Sequence, residues 1–383
     1  MATRPEAIPA ESPPSADERE FIASQLQLVW WRFIRHRLAV VATGVIILFY
    51  IIAVFAEFFA IHDPHETAAD RAFIAPQRVH LFDGFRPVRP YVNGLIHSRD
   101  PVTLKPLYAE DEDVRYPLGL FVKGNEYKMF GVIPTSRHLF GLRDGRPEEL
   151  ETFYLLGTDR LGRDLFSRLM HGTRLSMSIG LVGVLISLFL GVTLGGISGF
   201  RGGLVDTLIQ RMIEFVRSIP TIPLWLALAS AVPRDWSVIK IYFAITIIIS
   251  LLGWTTLARE VRGRFLAMRE EDFVVAARLY GSSEIRVIFR HMLPSFSSHI
   301  IATTTLAVPA IIIAETSLSF LGLGLRAPAI SWGTLLFEAQ NLNAVANAPW
   351  LMIPGPFVLV AILAFNFMGD GLRDAADPYS VRK

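Results

Sequence analysis

Five stretches of this chain are too long and too apolar to be read as the core of a water-soluble domain. Leu38 to Ala56 is nineteen residues without a charge, Ser176 to Phe200 is twenty-five, and Ile241 to Ala258 is eighteen. His299 to Gly324 holds one charge, Glu315, and Trp350 to Gly369 holds none. A helix crossing the hydrocarbon core of a bilayer needs about 20 apolar residues. The five therefore read as spans over 38–60, 176–200, 239–258, 299–323 and 350–369, with Lys240 snorkelling from the end of the third. A sixth is shorter. Ser218 to Pro233 supplies sixteen uncharged residues, so a full span over 210–233 takes in Arg211, Glu214 and Arg217. Glu214 is within ion-pair reach of either arginine on a helix. That segment is a helix with a charged cytoplasmic end or a re-entrant apolar segment. The fold class expected is an all-α membrane protein of six helices.

The remaining composition excludes more than it identifies. Charged residues are 19%, below the roughly 25% of soluble domains. The formal charge of +2 points neither to nucleic acid nor to an acidic tail. With no cysteine, disulfides, thiolate metal sites and cysteine nucleophiles are impossible. Six spans place both termini on one side. Fifteen Lys and Arg flank the ends on that side against nine on the other, which makes it the cytoplasmic side. Thirty-seven residues precede the first span and no small-residue cleavage site follows it, so no cleavable signal is expected.

Outside the membrane the chain changes character. Residues 1–18 carry Pro5, Pro9, Pro13 and Pro14 without an aromatic and read as a disordered cytoplasmic tail. Over 19–37, Ile22, Leu26, Val29 and Phe33 share a helical face beside Trp30 and Trp31. This is an interfacial amphipathic helix or the start of a longer first helix. His62 to Leu175 is 114 residues with sixteen basic and sixteen acidic side chains, a soluble-domain composition. Nine prolines and short apolar runs such as Met129 to Ile133 predict strands and turns for the external insert, 61–155. An interfacial helix over 156–168, capped by Thr158 or Asp159, is expected within the 156–175 segment that follows. The pair His62 and His65 lacks further ligands at a recognisable spacing, so no metal site is assigned.

Catalytic constellations are missing. The chain has no G-x-x-x-x-G-K-[ST], H-E-x-x-H or G-x-S-x-G, so it does not cradle ATP by a P-loop, and energy must come from a partner or an ion gradient. Glu315 alone sits deep within a span, which is thin support for an ion-coupled carrier. Glu315 and Ser319 lie four apart on one face and are candidates to line a pore. Arg160, Arg163 and Asp164 are candidates for ion pairs at an outer gate. Gly191, Gly195 and Gly199 repeat every four residues and permit close helix approach.

The stretch between the fourth and fifth spans, 259–298, carries the most information. Asp272 can cap a short helix on which Phe273, Ala276, Ala277 and Tyr280 share a face, and Gly281 can end it in the left-handed conformation. A second helix from Ser282 would carry Ile285, Ile288, Phe289 and Met292 towards the membrane, with Pro294 at the entrance to the next span. Physically this is a short exposed helix stiffly tied to two membrane helices, suited to mechanical coupling with a cytoplasmic partner, or an ordinary basic loop.

Ala276-Ala277, Gly281 four residues on, and Leu293-Pro294 resemble the E-A-A, x3, G, x9, I-x-L-P loop of ABC importer permeases. Val275 and His291 depart from that pattern. Three further stretches resemble the C-type permease of dipeptide and oligopeptide importers. They are Leu156 to Arg168 with Gly172 to Ser176, Leu318 to Gly324 followed by Ser331-Trp332-Gly333, and Gly369 to Pro378. The resemblance implies a type I ABC importer transmembrane domain in the bacterial inner membrane that moves peptides, with nickel or another small solute as the alternative cargo. It implies a paralogous permease subunit, two ATPase subunits and an external peptide-binding protein as partners. ATP and Mg would be held by the ATPases, and no cofactor by this chain. The coupling residues it implies are Asp272, Phe273, Ala276, Ala277, Gly281, Leu293 and Pro294.

Overall fold

The computed structural model describes residues 25–377 except 84, 100, 102–105, 144–152, 234, 342–345 and 347. The expected tail, 1–18, lies outside the described residues.

The chain enters through α1, Gln25–Arg35, and α2, Arg37–Val54. These are two helices and not one, because His36 leaves helical geometry and its ring nitrogen accepts a hydrogen bond from the Ala39 amide, capping α2. A break at Phe55 separates α2 from a single turn, α3, Ala56–Phe59. The insert that follows is a four-stranded antiparallel sheet, ordered β1 His80–Asp83, β2 Arg86–Arg99, β3 Pro106–Met129 and β4 Ile133–Leu142. The all-α description therefore stops at the insert. β3 is long because it serves two neighbours in turn: Pro106 to Pro117 pair with β2, and Leu118 to Met129 with β4.

The next element corrects the expected interfacial helix. Residues 156–164 form a turn with Gly157 and Gly162 at φ +75° and +73°, values that favour glycine. A helix cannot run through them. It begins instead as α4, Leu165–Arg201, whose N-cap is Asp164, accepting from the Ser167 amide at 2.8 Å. At 37 residues α4 is about 55 Å long, so it protrudes well beyond a single bilayer core.

The expected span over 210–233 is not one helix. α5, Gly203–Ser218, and α6, Thr221–Ser230, meet at 86° across Ile219-Pro220. Proline lacks the amide that would continue the ladder, and the residue before it is pushed to extended geometry, as Ile219 is. Glu214 pairs with Arg211 at 2.7 Å, while Arg217 reaches the Thr256 hydroxyl. α7, Val238–Met268, runs ten residues past the expected end of its span. Within the 259–298 loop lies α8, Asp272–Leu279, and then come α9, Ser297–Phe320, α10, Trp332–Ala339, and α11, Pro354–Ala376. Among the described residues five helices are long and apolar enough to cross a membrane, and six if the bent α5–α6 pair counts as one span.

α4 and α7 pack at the centre. A Cβ on Gly191, Gly195 or Gly199 would come within 3 Å of Leu257, the Ala258 carbonyl oxygen and the Arg262 carbonyl oxygen respectively. These glycines set the spacing of the two helices. The two ends of the described chain lie together, with Phe33 and Ala375 in one apolar cluster and Arg32 donating to the Asp377 carbonyl. Following the helices through, these ends and the 259–298 loop fall on one side, and the sheet, the 156–164 turn and α10 on the other.

Candidate functional site: a loop, a cavity and two polar clusters

The 259–298 loop is built as an outward-facing helix on a small core of its own. α8 starts from Glu271, so Asp272 stands in its first turn and is not the cap. Val274 and Ala277 turn inward against Phe265, Met268, Val287, Ile288 and Met292. Ala276 is half-buried, while Phe273, Leu279 and Tyr280 are exposed, the last two at 83% and 91%. The face expected to hold Phe273, Ala276, Ala277 and Tyr280 together is thus rotated: Ala277 belongs to the inner face. A side chain larger than Ala277 would press into the loop's own core before it met any partner.

Gly281 ends α8 at φ +76° with nothing within 4 Å of where a Cβ would stand. The requirement there is conformational and not spatial. The Ser282 amide closes the turn on the Ala277 carbonyl at 3.1 Å. The expected second helix is interrupted. Glu284–Arg286 is α-helical, Val287–Met292 is a π-helix, and Leu293–Ser295 is a last short turn before α9. The wider π-turn puts Val287, Ile288 and Met292 inward and leaves Ile285 and Phe289 exposed. Leu293 is half-buried and Pro294 exposed. Ion pairs tie this unit to the bundle: Arg201 to Glu284 at 2.8 Å, and Arg262 to Asp206 at 2.5 Å.

Above the loop, helices α4, α6, α7, α9 and α11 line a half-open cavity of about 510 Å³. Its walls are mainly apolar, but Trp225, Thr256, Glu260, His299, Thr304 and Arg373 all reach it. Glu260 Oε2 lies 3.6 Å from His299 Nε2. The Trp225 indole nitrogen, Glu260 Oε2 and the Thr304 hydroxyl are buried without a hydrogen bond from another protein group. Unmatched polar atoms of this kind are costly in an apolar bundle unless they face water or a polar ligand. Sequence reasoning missed Glu260, His299 and Arg373 because each sits beside a span end among many similar charges. Only their convergence distinguishes them.

Glu315 and Ser319 do not line that cavity. At 0% and 1% exposure they are closed inside the bundle. The Glu315 carboxylate accepts hydrogen bonds from Ser331 at 2.8 Å, Ser319 at 2.9 Å and Ser176 at 3.2 Å. Ser176 in turn accepts from the Trp332 amide, and Ser319 from the Leu325 amide. One carboxylate thereby joins α4, α9 and the start of α10, a positioning role.

The outer cluster is an ion-pair network. Asp159 accepts from Arg163 at 2.7 Å and from Arg168 at 2.5 Å, and both arginines reach Glu338 on α10, at 2.7 and 2.6 Å. Arg160 is exposed and stands outside it. Burial raises the Glu338 carboxyl, but Arg168 and Arg163 outweigh this and hold it below the ordinary range. Burial pushes the Asp164 carboxyl up, against hydrogen bonds from Ser167 that pull the other way. Glu338 and Arg168 were not singled out from sequence, since partners 170 residues apart carry no shared pattern.

Residues 191–380 match the family described as binding-protein-dependent transport system inner membrane component. Residues 24–76 match the N-terminal TM domain of oligopeptide transport permease C. The oligopeptide transport system permease protein OppC of Bacillus subtilis (strain 168) is 39% identical over 58% of this chain and 70% of that protein. The dipeptide transport system permease protein DppC of Lactococcus lactis subsp. cremoris (strain MG1363) is 33% identical over 368 residues, 95% of this chain and 94% of that one, a length that takes in most of the external sheet. A methionine ABC transporter, MetNI, in inward-facing conformations aligns at a TM-score of 0.43 and 14% identity, covering 54% of this chain and 95% of that chain. The chain belongs to the inner-membrane permease components of binding-protein-dependent ABC transport systems, in their oligopeptide and dipeptide permease branch.

Proposed function

We propose that this chain is one of two permease subunits of an ATP-driven importer that carries di- or oligopeptides, or modified peptides, into the cytoplasm, with both termini on the cytoplasmic side. The reading is carried by α8, which presents Phe273, Leu279 and Tyr280 to solvent while Val274 and Ala277 lock it to the end of α7 and to the π-helix that leads into α9. A displacement of α8 therefore moves two membrane helices together, as coupling requires. The proposed partners are a paralogous permease, two ATPase subunits on which α8 docks, and an external peptide-binding protein. ATP and Mg²⁺ on the ATPases supply the free energy when bound; this chain contributes no hydrolytic residue.

The cavity beside α7 and α9 is the proposed share of the peptide path. Its apolar walls accept varied side chains, and its unmatched donors and acceptors accept backbone amides and carbonyls. Glu260 and Arg373 offer opposite charges for a peptide's ammonium and carboxylate ends. Because the cavity and α8 share α7 and α9, motion of the loop reshapes the cavity without any new contact.

The test is Leu279→Asp with Tyr280→Asp, which places charge on the exposed face and leaves Val274 and Ala277 in place. Expected are normal insertion of the chain, loss of peptide uptake and loss of ATPase co-purification. Uptake at the unsubstituted rate would overturn the assignment.

A further inference from the structure

We propose that the external sheet is held against the outer leaflet of the membrane by the turn between β3 and β4, which dips apolar side chains among the lipids. The turn and its flanks read Met129-Phe130-Gly131-Val132-Ile133, and Phe130, Val132 and Ile133 are exposed, Val132 at 77%. Phe121 of β3, exposed as well, adds to this surface. A soluble domain keeps such side chains inside or scattered singly, and a contiguous group marks a contact surface.

The occupant follows from what this surface adjoins. The Phe130 ring meets Phe55 edge-on with centroids 5.6 Å apart, and Phe121 lies 6.1 Å from Phe58. Phe55 and Phe58 close the outer end of the first span. They continue, at spacings of three and four, the row Leu48, Ile51 of α2, both exposed on the bundle surface. That row is the lipid-facing side of a membrane helix, so the apolar surface of the sheet is an extension of the bilayer-facing surface. Phe121 and Phe130 also hold φ at +56° and +55°. Bulky residues pay about 1–2 kcal/mol there, and such geometry persists where the surroundings demand it. Exposed Lys123 and Lys128 flank the surface, as basic side chains do at the level of lipid phosphates. A protein partner would have no need of continuity with a lipid-facing helix.

The absence of native cysteine allows a clean test. The full chain carrying Val132→Cys, labelled with a polarity-sensitive fluorophore, is reconstituted with its co-purifying subunits in vesicles of phosphatidylethanolamine and phosphatidylglycerol. Asp113→Cys, exposed elsewhere on the sheet, gives the aqueous reference. At position 132 the emission is expected to shift to the blue, to be quenched by nitroxide placed near the lipid headgroups and to be protected from iodide in water. Ile133→Cys is expected to behave alike. Quenching by iodide without quenching by lipid would show a free turn. Protection from both quenchers would show a protein covering it. Either result would overturn the proposal.

Discussion

Gly281 and Ala277 are both small and both belong to one turn, yet the structure gives them different duties. At Gly281 the left-handed backbone is the requirement and no neighbour would touch a side chain. Gly281→Val is therefore expected to cost about 1–3 kcal/mol locally and to cut peptide-driven ATP hydrolysis more than it lowers membrane abundance. Measuring both in the same vesicles checks this, and equal losses would point to general misfolding. Ala277 faces the loop's own core, so Ala277→Arg should loosen α8 itself, seen as new protease cleavage within 269–283. Glu315 gives a third case. Glu315→Gln keeps acceptor oxygen for the serines, whereas Glu315→Leu strands Ser319 and Ser331, each worth about 1–3 kcal/mol if left unpaired. A clearly lower melting temperature for Leu than for Gln in detergent is expected; equal values would contradict the positioning role. In the sequence Glu315 stood out as the lone deep acid, and its partners could not be read because Ser176 and Ser331 lie on other elements.

Among elements, the spans were legible and their ends were not. Uncharged length alone located α2, α4, α7, α9 and α11, since lipid contact admits almost nothing else. The start of α4 was misplaced because Leu156 to Arg168 looks helical in its spacing of leucines, while Gly157 and Gly162 in left-handed geometry turn the chain until Asp164 can cap. The break between α5 and α6 falls at Ile219-Pro220, which the reading of one span over 210–233 passes over, and the 86° bend depends on what each half packs against. Close packing of α4 on α7 was foreshadowed by the glycine repeat. Gly195→Leu, whose Cβ would stand 2.4 Å from the Ala258 carbonyl oxygen, is expected to force the two helices apart and prevent accumulation of folded protein. Normal yield and melting would contradict that spacing role. The network joining the 156–164 turn, α4 and α10 predicts a pH response. Because the folded value of Glu338 is depressed below its ordinary 4.5, its contribution is present above that value and lost as pH falls through the folded one. Below about pH 4.5 the wild-type melting temperature should therefore fall more steeply than that of Glu338→Gln.

For the whole molecule, the arrangement sets a cavity between two faces. One face carries α8 and both described chain ends; the other carries the sheet, the 156–164 turn and α10; and the cavity lies between them, walled by helices that continue into the loop. Sequence located the first face through one loop and the sign of its flanking charges. The cavity was invisible to it, since Trp225, Glu260, Thr304 and Arg373 come from four helices and meet only after folding. The assembly claim rests on α8 meeting an ATPase. With no native cysteine, Tyr280→Cys gives a single reactive thiol on the exposed face of that helix. The decisive measurement is cross-linking from position 280 in membranes that transport peptide, with and without ATP. A cross-link to an ATP-hydrolysing subunit whose yield changes on ATP addition is expected. Sustained peptide uptake with no such cross-link from position 280 would contradict the coupling role of α8.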